Sequence, residues 1–418
     1  MAALVGRFWL FLRTNRVLTW ACIVIAVNQL GFGIVVPVTP IYARTFGVSE
    51  AAVGLVVAIY GLGRFLFNLP AGQAADRLGR KPVIFAGTMI TCLGSVLCGL
   101  APDFGQLLAY RFVGGVGAAV VITGVQIVVA DVSSRQTRGR MIATYMGFFT
   151  LAVGVGPSVG GLIASVAGPR APFFAFAALA TIAGLIALTQ LPETRRVGGW
   201  GSGVGEDAPS PIPQPPASAA ARMLLRNVGF LTISVVTFVQ FFNRTGAIFA
   251  VVPLMGVERL GLDAATIGFA LTAASLSNIA LVGVAGALID RYGRKPVIVP
   301  GCLISAAAFT GFALATGYPA FVLSAVLWGV SGAFTAGSAA YAVDQAPPGA
   351  NGITMGIYRM LADLGYVVGP VLLGLIAGAA GAEGSLVFAS ALSVLTMLPF
   401  LLLAPETGGR RAVARGAA

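Results

Sequence analysis

The sequence contains no histidine, and charged residues make up only 10% of its 418 positions. The lack of histidine removes the most common titrating and metal-binding side chain from any mechanism. The scarcity of charge, together with a hydrophobic content of 57%, excludes an ordinary soluble globular protein. We therefore expect a protein that resides in a lipid bilayer.

Cysteines are also few, and all of them fall within apolar stretches: Cys22, Cys92, Cys98 and Cys302. We interpret them as small packing residues and not as a disulfide or metal set. Enzymes in membranes usually display clusters of metal ligands, or a nucleophile with its base. The predicted membrane segments contain no histidine and no carboxylate pair, so we expect no enzyme, no metal and no cofactor.

Twelve apolar stretches are each long enough to cross a hydrocarbon core of roughly 30 Å, which takes about 20 helical residues. They cover residues 17–41, 50–72, 82–101, 105–130, 141–166, 171–191, 227–256, 263–286, 296–316, 318–343, 352–379 and 384–404. The sequence therefore predicts an all-α membrane protein with twelve transmembrane helices.

A charged, glycine-bearing signature occurs twice in this apolar chain. Gly72–Val83 has the sequence GQAADRLGRKPV, and Gly286–Val297 has the sequence GALIDRYGRKPV. Other positions align at the same spacing, including Gly156-Pro157 with Gly369-Pro370, and Pro192-Glu193-Thr194 with Pro405-Glu406-Thr407. A duplicated membrane unit explains this repetition.

The repeat predicts two pseudo-symmetric six-helix bundles joined by a linker. The bundles are expected at residues 1–191 and 227–404, with a linker at 192–226 and a tail at 405–418. Residues 192–226 are rich in glycine, serine and proline, which is typical of a flexible tether, although a regulatory role is an alternative.

The 26 basic residues are distributed unevenly among the loops between the predicted helices and the terminal segments. With a cytoplasmic N-terminus, most of them fall in cytoplasmic segments, whereas Arg44, Arg170 and Arg259 fall on the opposite side. This bias predicts orientation by the positive-inside rule, with both termini cytoplasmic, and requires no nucleic-acid partner.

Polar side chains within the predicted helices are distributed unevenly. An unpaired polar group facing lipid costs kilocalories, so these side chains are expected to face an interior cavity. The predicted cavity residues are Asn28, Gln29, Arg64, Arg111, Gln240, Asn243, Arg244, Asn278 and Trp328. Helices 3, 6, 9 and 12 have no charged residue or amide well inside the membrane and are expected to face lipid.

These residues together resemble a family: the chain is similar to a twelve-helix member of the major facilitator superfamily, over essentially its whole length. The doubled GxxxDRxGRK pattern is similar to that superfamily's best-known signature. The resemblance implies two six-helix bundles that rock about a central site.

The signature also has a direct physical interpretation. Gly72 and Gly286 are expected to allow close helix contact, while glycines at 79 and 293 permit tight turns. Asp76 and Asp290 are expected to accept hydrogen bonds at a neighbouring helix N-terminus. Asp131 and Asp344 are the nearest candidate partners for Arg80 and Arg294.

The resemblance implies that these residues form a gate, because corresponding residues in the family form an ion-pair network that holds the cytoplasmic side closed. The predicted gating residues are Gly72, Asp76, Arg77, Gly79, Arg80, Asp131, Gly286, Asp290, Arg294 and Asp344. The alternative is that the basic residues serve only as orientation signals.

Two further motifs resemble the exporting, drug:proton antiporter branch. The run GVGPSVGG in helix 5 contains Gly154, Gly156, Pro157, Gly160 and Gly161. Its proline bends the helix and its glycines let another helix approach closely. Arg111, followed by several glycines, resembles the fourth-helix motif of proton-coupled exporters, but Gly114 stands where the family usually has glutamine.

The coupling ion is the least determined feature. Many drug exporters of the family have a carboxylate in helix 1, where this chain has Asn28 and Gln29. Asp363 is the only carboxylate deep in a predicted span, and Arg359 lies one helical turn before it. Asp363 with Arg359 is therefore the candidate for proton coupling, and a permanent ion pair that stabilises helix 11 is the alternative.

The resulting hypothesis is a monomeric transporter of the cell inner (plasma) membrane that works by alternating access. Proton-coupled efflux of drug-like small molecules is the leading function. An alternative is transport of an anionic metabolite, because arginines outnumber carboxylates in the spans, unless carbonyl groups pair with some of those arginines. A non-transporting membrane sensor is a remote alternative.

Overall fold

The computed structural model describes residues 14–133, 137–194, 217–347 and 350–407. We number the long helices α1 to α12 in chain order. They are Arg16–Val35 with Val38–Arg44 (α1), Glu50–Leu78 (α2), Arg80–Leu100 (α3), Phe104–Asp131 (α4), Arg138–Ala167 (α5), Ala171–Gln190 (α6), Val228–Asn243 continuing to Glu258 (α7), Ala264–Tyr292 (α8), Lys295–Ala313 (α9), Tyr318–Thr335 with Ser338–Asp344 (α10), and Asn351–Leu403, which holds α11 and α12.

Within the described residues, 11 helical segments are long and apolar enough to cross a membrane. The last, Ile353–Leu403, is interrupted at Gly381, where φ is 75° and the backbone is not helical. It therefore contains two spans, α11 before Gly381 and α12 after it. The prediction of an all-α membrane protein with twelve transmembrane helices is confirmed.

The chain divides into two compact units. The first contains Met1–Phe46 and Ile59–Gly205, and the second contains Gly47–Ala58 and Glu206–Ala418. The start of α2 belongs to the second unit because it packs on α11: a Cβ placed on Gly54 would lie 1.9 Å from the carbonyl oxygen of Pro370. The predicted boundaries at residues 191 and 227 stay predictions.

In the first unit, α1 packs against α5 and α6, and α3 packs against α4 and α6. Glycines let α1 and α5 come into backbone contact, and we call this contact the α1–α5 seam. A Cβ placed on Gly160 would lie 1.9 Å from the carbonyl oxygen of Ile34, and one on Gly33 would lie 2.6 Å from that of Val153. No larger side chain fits at either glycine without displacing a helix.

The second unit has an equivalent contact between α7 and α11. A Cβ placed on Gly369 would lie 2.2 Å from the carbonyl oxygen of Phe242, and one on Gly365 would lie 2.3 Å from that of Phe238. Helix α7 also contains a π-helical stretch, Arg244–Val251. Stretches of this kind are rare and are often found at functional sites.

The predicted linker is not uniformly irregular, because it contains the short helix Ala217–Leu224. Leu224 is fully buried and packs in the core of the second unit, and Asn227 caps α7 by accepting a hydrogen bond from the Phe230 backbone N–H at 3.0 Å. Residues 195–216 and 408–418, which form most of the predicted linker and tail, lie outside the described residues.

Candidate functional site

Each unit has a charged cluster where two of its helices meet at a tight turn. In the first unit the turn joins α2 to α3 at Gly79, whose φ of 102° and ψ of 155° favour glycine. The side chain of Arg80, only 7% exposed, lies 2.9 Å from Asp131 through Nε and 3.1 Å from Asp76 through Nη2. A buried guanidinium needs such partners, because an uncompensated buried charge costs several kilocalories.

The segment after α6 completes this first cluster. Glu193 accepts hydrogen bonds from the backbone N–H groups of Arg80, at 2.9 Å, and Lys81, at 3.2 Å. These are free donors at the N-terminus of α3, where the helix dipole favours a negative charge. Thr194 donates a hydrogen bond to Asp131 at 2.9 Å. The first cluster therefore joins α2, α3, α4 and the segment after α6.

The second cluster repeats most of this arrangement around Gly293, where φ is 100°. Arg294 contacts Asp344 through Nε at 2.6 Å and through Nη2 at 3.0 Å. Glu406 accepts hydrogen bonds from the backbone N–H groups of Arg294, at 2.8 Å, and Lys295, at 3.3 Å. Asp131 and Asp344 were the partners that the sequence predicted for the two arginines, and the structure brings both pairs together.

The two clusters differ at the first aspartate of the signature. Asp76 contacts Arg80, whereas Asp290 is exposed and makes no ion pair within the described residues. Neither aspartate is the acceptor at the following helix N-terminus, because Glu193 and Glu406 occupy that position. The expected role of Asp76 and Asp290 at these N-termini was therefore wrong. Glu193, after α6, and Glu406, after α12, accept these hydrogen bonds instead.

The expectation of close helix contact at the two signature glycines was also wrong. A Cβ placed on Gly72 would lie 3.9 Å from Thr123, which is an ordinary distance. At Gly286, no heavy atom of the described residues would lie within 4 Å. Arg77 is exposed, beside the first turn. Within the signature, the glycines at 79 and 293 form the turns, and the arginines at 80 and 294 form the ion pairs.

Sequence reasoning missed Glu193, Thr194 and Glu406 as cluster residues. A signal for them was present, because the Pro-Glu-Thr sequence occurs at corresponding positions of both halves. Each glutamate is more than 100 residues from the helix that it caps in the sequence, since the contact from Glu193 to the Arg80 backbone spans 113 positions. No local pattern predicts such a contact.

The antiporter-like run of α5 lies at the α1–α5 seam. All five of its motif residues are buried: Gly154, Gly156, Pro157, Gly160 and Gly161. A Cβ placed on Gly156 would lie 2.5 Å from the Cα of Gly33. The run thus forms a helix contact that is too close to hold water along its glycines.

In the first unit, the polar residues expected to line a cavity are largely buried. Asn28 is fully buried and donates a hydrogen bond to Gln29 at 3.3 Å. Arg111 is 6% exposed, and its guanidinium lies 4.5 Å from the centre of the Tyr60 ring. Arg111 makes no ion pair with a carboxylate within the described residues, and its Nε has no hydrogen-bond partner there. Arg64 is half-buried.

In the second unit, two of the expected cavity amides bind neighbouring helices. Asn243 donates to the Ala389 carbonyl oxygen at 3.1 Å and to the Ser393 hydroxyl at 3.0 Å, which ties α7 to α12. Asn278 donates to the Gly329 carbonyl oxygen at 3.2 Å, which ties α8 to α10. Both amides therefore contribute to helix packing.

The remaining predicted cavity residues of this unit are Gln240, Arg244 and Trp328, and all are half-buried. Arg244 lies 5.7 Å from the centre of the Phe249 ring. The coupling candidate Asp363 is half-buried on α11, and Arg359 is exposed. Asp363 has an interaction partner in the structure. Its predicted pairing with Arg359 and its role in proton coupling stay predictions.

Comparison with known proteins places these features in a family. The sequence matches the Major Facilitator Superfamily over residues 21–263 and 233–417. The Multidrug resistance protein 1 of Bacillus subtilis (strain 168) is 32% identical to it over 167 residues, which cover 40% of this chain and 43% of that protein. The Quinolone resistance protein NorA of Staphylococcus aureus (strain Mu50 / ATCC 700699) is 28% identical over a match of the same length and coverage. The match thus spans less than half of these relatives.

The solved structures similar to this one share its fold. A bacterial homologue of the human lysosomal transporter Spinster, in an inward-facing and occupied conformation, has a TM-score of 0.75 at 18% identity, with 93% of this chain and 96% of that chain covered. The human organic anion transporter MFSD10 (TETRAN) has a TM-score of 0.64 at 21% identity, with 92% and 99% covered. Because the family match extends through both halves of the chain and the helical fold agrees with these structures, the chain belongs to the Major Facilitator Superfamily and is a multi-pass membrane protein.

Proposed function

We propose that this transporter exports drug-like organic molecules by proton-coupled alternating access. The observation that carries the proposal is the α1–α5 seam, which is built from the run that resembles the motif of the exporting branch. Two relatives with names that refer to multidrug and quinolone resistance support it. Export is thus inferred from a helix contact and from partial relatives together.

The physical argument for the seam concerns leakage. An exporter driven by protons must keep ions from crossing without cargo. Backbone contact between Gly156 and Gly33 and between Gly160 and Ile34 leaves no room for water along this part of α1 and α5. A tight seam is therefore compatible with a transporter that maintains a proton gradient while it moves large, apolar cargo.

Asp363 is proposed as the residue that carries the coupled proton, because it is the only carboxylate in the middle of a described span. Two states of the transporter must hold it differently for a proton to be taken up on one side and released on the other. A contact between Asp363 and Arg359 that forms in only one state would meet this requirement. Proton coupling rests on this single residue and on the family resemblance.

The experiment is transport by purified protein in proteoliposomes with an imposed pH gradient and a fluorescent quinolone as the probe. The parent should accumulate the quinolone against its gradient. An Asp363→Asn variant should lose this accumulation but retain downhill counterflow. The control Asp103→Asn, at an exposed aspartate that caps α4 and that asparagine can replace as a cap, should behave like the parent. Gradient-driven accumulation at the parental rate by Asp363→Asn would remove Asp363 as the proton carrier.

Transport of an anionic molecule is a second candidate, and Arg111 favours it. This buried guanidinium lies over the Tyr60 ring and has no carboxylate partner within the described residues. A buried cation is costly unless an anion or several acceptors compensate it. If an anionic cargo supplies that charge, Arg111→Gln should weaken its binding far more than the binding of a neutral analogue. Equal losses for both ligands would make Arg111 a structural residue.

We also propose the topology and assembly of the transporter. Both termini are placed on the cytoplasmic side of the plasma membrane because most basic residues fall in the loops of that side. The transporter is proposed to act as a monomer on a small-molecule substrate. Cysteine labelling at Arg16→Cys and Arg259→Cys, in intact cells and inverted vesicles, tests the orientation, since the two positions should react from opposite sides.

A further inference from the structure

The short helix Ala217–Leu224 presents a distinct exposed surface on the second unit. Its helical hydrogen bonding continues into the following turn, where the backbone N–H of Leu225 donates to the Ala221 carbonyl oxygen at 2.9 Å and that of Asn227 donates to Leu224 at 3.0 Å. The segment up to Asn227 therefore presents its side chains at nearly helical spacing, about 100° apart around the axis.

One face of this segment is anchored in the protein. Ala220 and Leu224 are fully buried, and Leu224 packs in a core cluster with Tyr341 and Phe400. Those residues lie at the ends of α10 and α12 that also carry Asp344 and Glu406. The segment is thus fixed at the charged end of the second unit.

The opposite face is exposed and combines positive charge with apolar area. Arg222 and Arg226 are both exposed and lie one helical turn apart. They are flanked by Met223, 53% exposed, and Leu225, 58% exposed. By helical spacing, the two arginines lie in the middle of the exposed face, directly opposite Leu224.

The transmembrane helix that follows the segment also has exposed apolar side chains at its start. Val228 and Val235, 46% and 48% exposed, lie two turns apart on the same side of α7. The exposed surface therefore passes from purely apolar side chains on α7 to apolar side chains mixed with arginines on the short helix. This is the change that a membrane surface shows between its hydrocarbon region and its headgroups.

We propose that Arg222 and Arg226 bind the headgroups of anionic phospholipids, with Met223 and Leu225 on either side of them and Val228 at the start of α7 in the apolar boundary. The two guanidiniums supply the charge that a phosphate attracts, and Arg can bind phosphate through two N–H groups at once. Zwitterionic lipid offers the same apolar region without the net negative charge. The surface should therefore discriminate between lipids by charge.

The test uses the full-length protein carrying Met223→Cys, labelled with an environment-sensitive fluorophore, in lipid nanodiscs. Brominated phosphatidylglycerol or brominated phosphatidylcholine is added as the quencher, and the dependence of quenching on lipid concentration gives the affinity. Each basic residue near an anionic surface contributes about fivefold to affinity, so Arg222→Gln with Arg226→Gln should weaken phosphatidylglycerol binding by about 30-fold. The same double change to lysine should retain most of it.

The control is Arg16→Gln with Arg140→Gln, which removes two exposed arginines from the first unit and should leave the affinity at the parental value. Equal quenching of the parent by both lipids would overturn the proposal, as would a loss in the control as large as in the test variant. A label that neither lipid quenches would also overturn it. Fluorescence that instead depends on protein concentration would assign the surface to a second copy of the chain.

Discussion

The two copies of the signature should respond differently to the same substitution. Asp76→Asn removes a carboxylate that contacts the buried guanidinium of Arg80 at 3.1 Å. Asp290→Asn removes an exposed carboxylate that makes no ion pair within the described residues. The substitutions are chemically identical and occupy equivalent positions of the repeat, so each is the control for the other.

The expected magnitude follows from burial. The Arg80 side chain is 7% exposed but that of Asp76 is 38% exposed, so solvent screens part of the interaction. Arg80 also retains Asp131 and a hydrogen bond to the Ala75 carbonyl oxygen. A charge-assisted contact of about 1.5–3 kcal/mol is thereby reduced to about 1 kcal/mol for Asp76→Asn. Asp290→Asn should change the free energy of unfolding by no more than about 0.5 kcal/mol.

The assay is thermal unfolding of purified protein, followed by transport and binding measurements on the same preparations. A loss of about 1 kcal/mol should lower the midpoint of a unit of this size by about 2–4 °C. If the contact forms in only one state of the cycle, the same energy shifts the equilibrium between states about fivefold and slows turnover without a matching loss in binding. Equal shifts for the two variants would refute the assigned difference between the clusters.

Three other changes test the local structure. Glu193→Ala should lower the free energy of unfolding by about 1–2 kcal/mol because it removes the acceptor at the N-terminus of α3. An unchanged unfolding midpoint would contradict this role. Gly293→Ala should lower the free energy of unfolding by about 1–3 kcal/mol, since φ is 100° and ψ is 177° at this position. The control Gly283→Ala, at a helical position with no described atom near the added Cβ, should leave stability unchanged or raise it. Two hydrogen bonds from Thr266 hold the pKa of Asp263, the cap of α8, below its usual value of 3.8. Because this pKa is lower in the folded protein than in the unfolded one, the ionised carboxylate stabilises the fold above the unfolded-state pKa, and that contribution is lost as the pH falls through the lowered pKa. The difference between the unfolding midpoints at pH 7 and pH 3 should therefore be smaller in Asp263→Asn than in the parent, and an unchanged difference would contradict this role.

Hydropathy and the repeat predicted the helices because both are local properties of the sequence. A span of about 20 apolar residues has few alternatives in a bilayer, so the segments predicted for α1 to α12 match the helices found. The partners of Arg80 and Arg294 were predictable for a similar reason. Acidic residues are so scarce that Asp131 and Asp344 were almost the only candidates at the correct helix ends.

The contacts that sequence reasoning missed are those that depend on where a distant segment returns. The capping carboxylate Glu193 reaches α3 only after three further helices, α4 to α6, have packed. The difference between Asp76 and Asp290 was equally hidden, because the two copies of the signature are nearly identical and only side-chain placement separates them. Asn243 was assigned to a cavity on polarity alone, while its hydrogen bonds to α12 show that an amide inside a membrane can be satisfied by helix packing.

The placement of the first cluster bears on how it acts in transport. Its described partners, from Asp76 to Glu193, all belong to the first unit, so the ion pairs fix the helix ends of that unit relative to each other. A network of this kind stabilises one unit as a rigid body, and its loss should lower thermal stability and turnover together. Ion pairs that formed only between the two units, in one state of the cycle, would affect turnover and leave the stability of each unit unchanged. A double-mutant cycle on Arg80 and Asp131, with unfolding and transport measured on each protein, distinguishes these two roles. Coupling energies of similar size in both measurements indicate that the ion pair stabilises the first unit. Coupling in transport alone indicates ion pairing between the units in one state of the cycle.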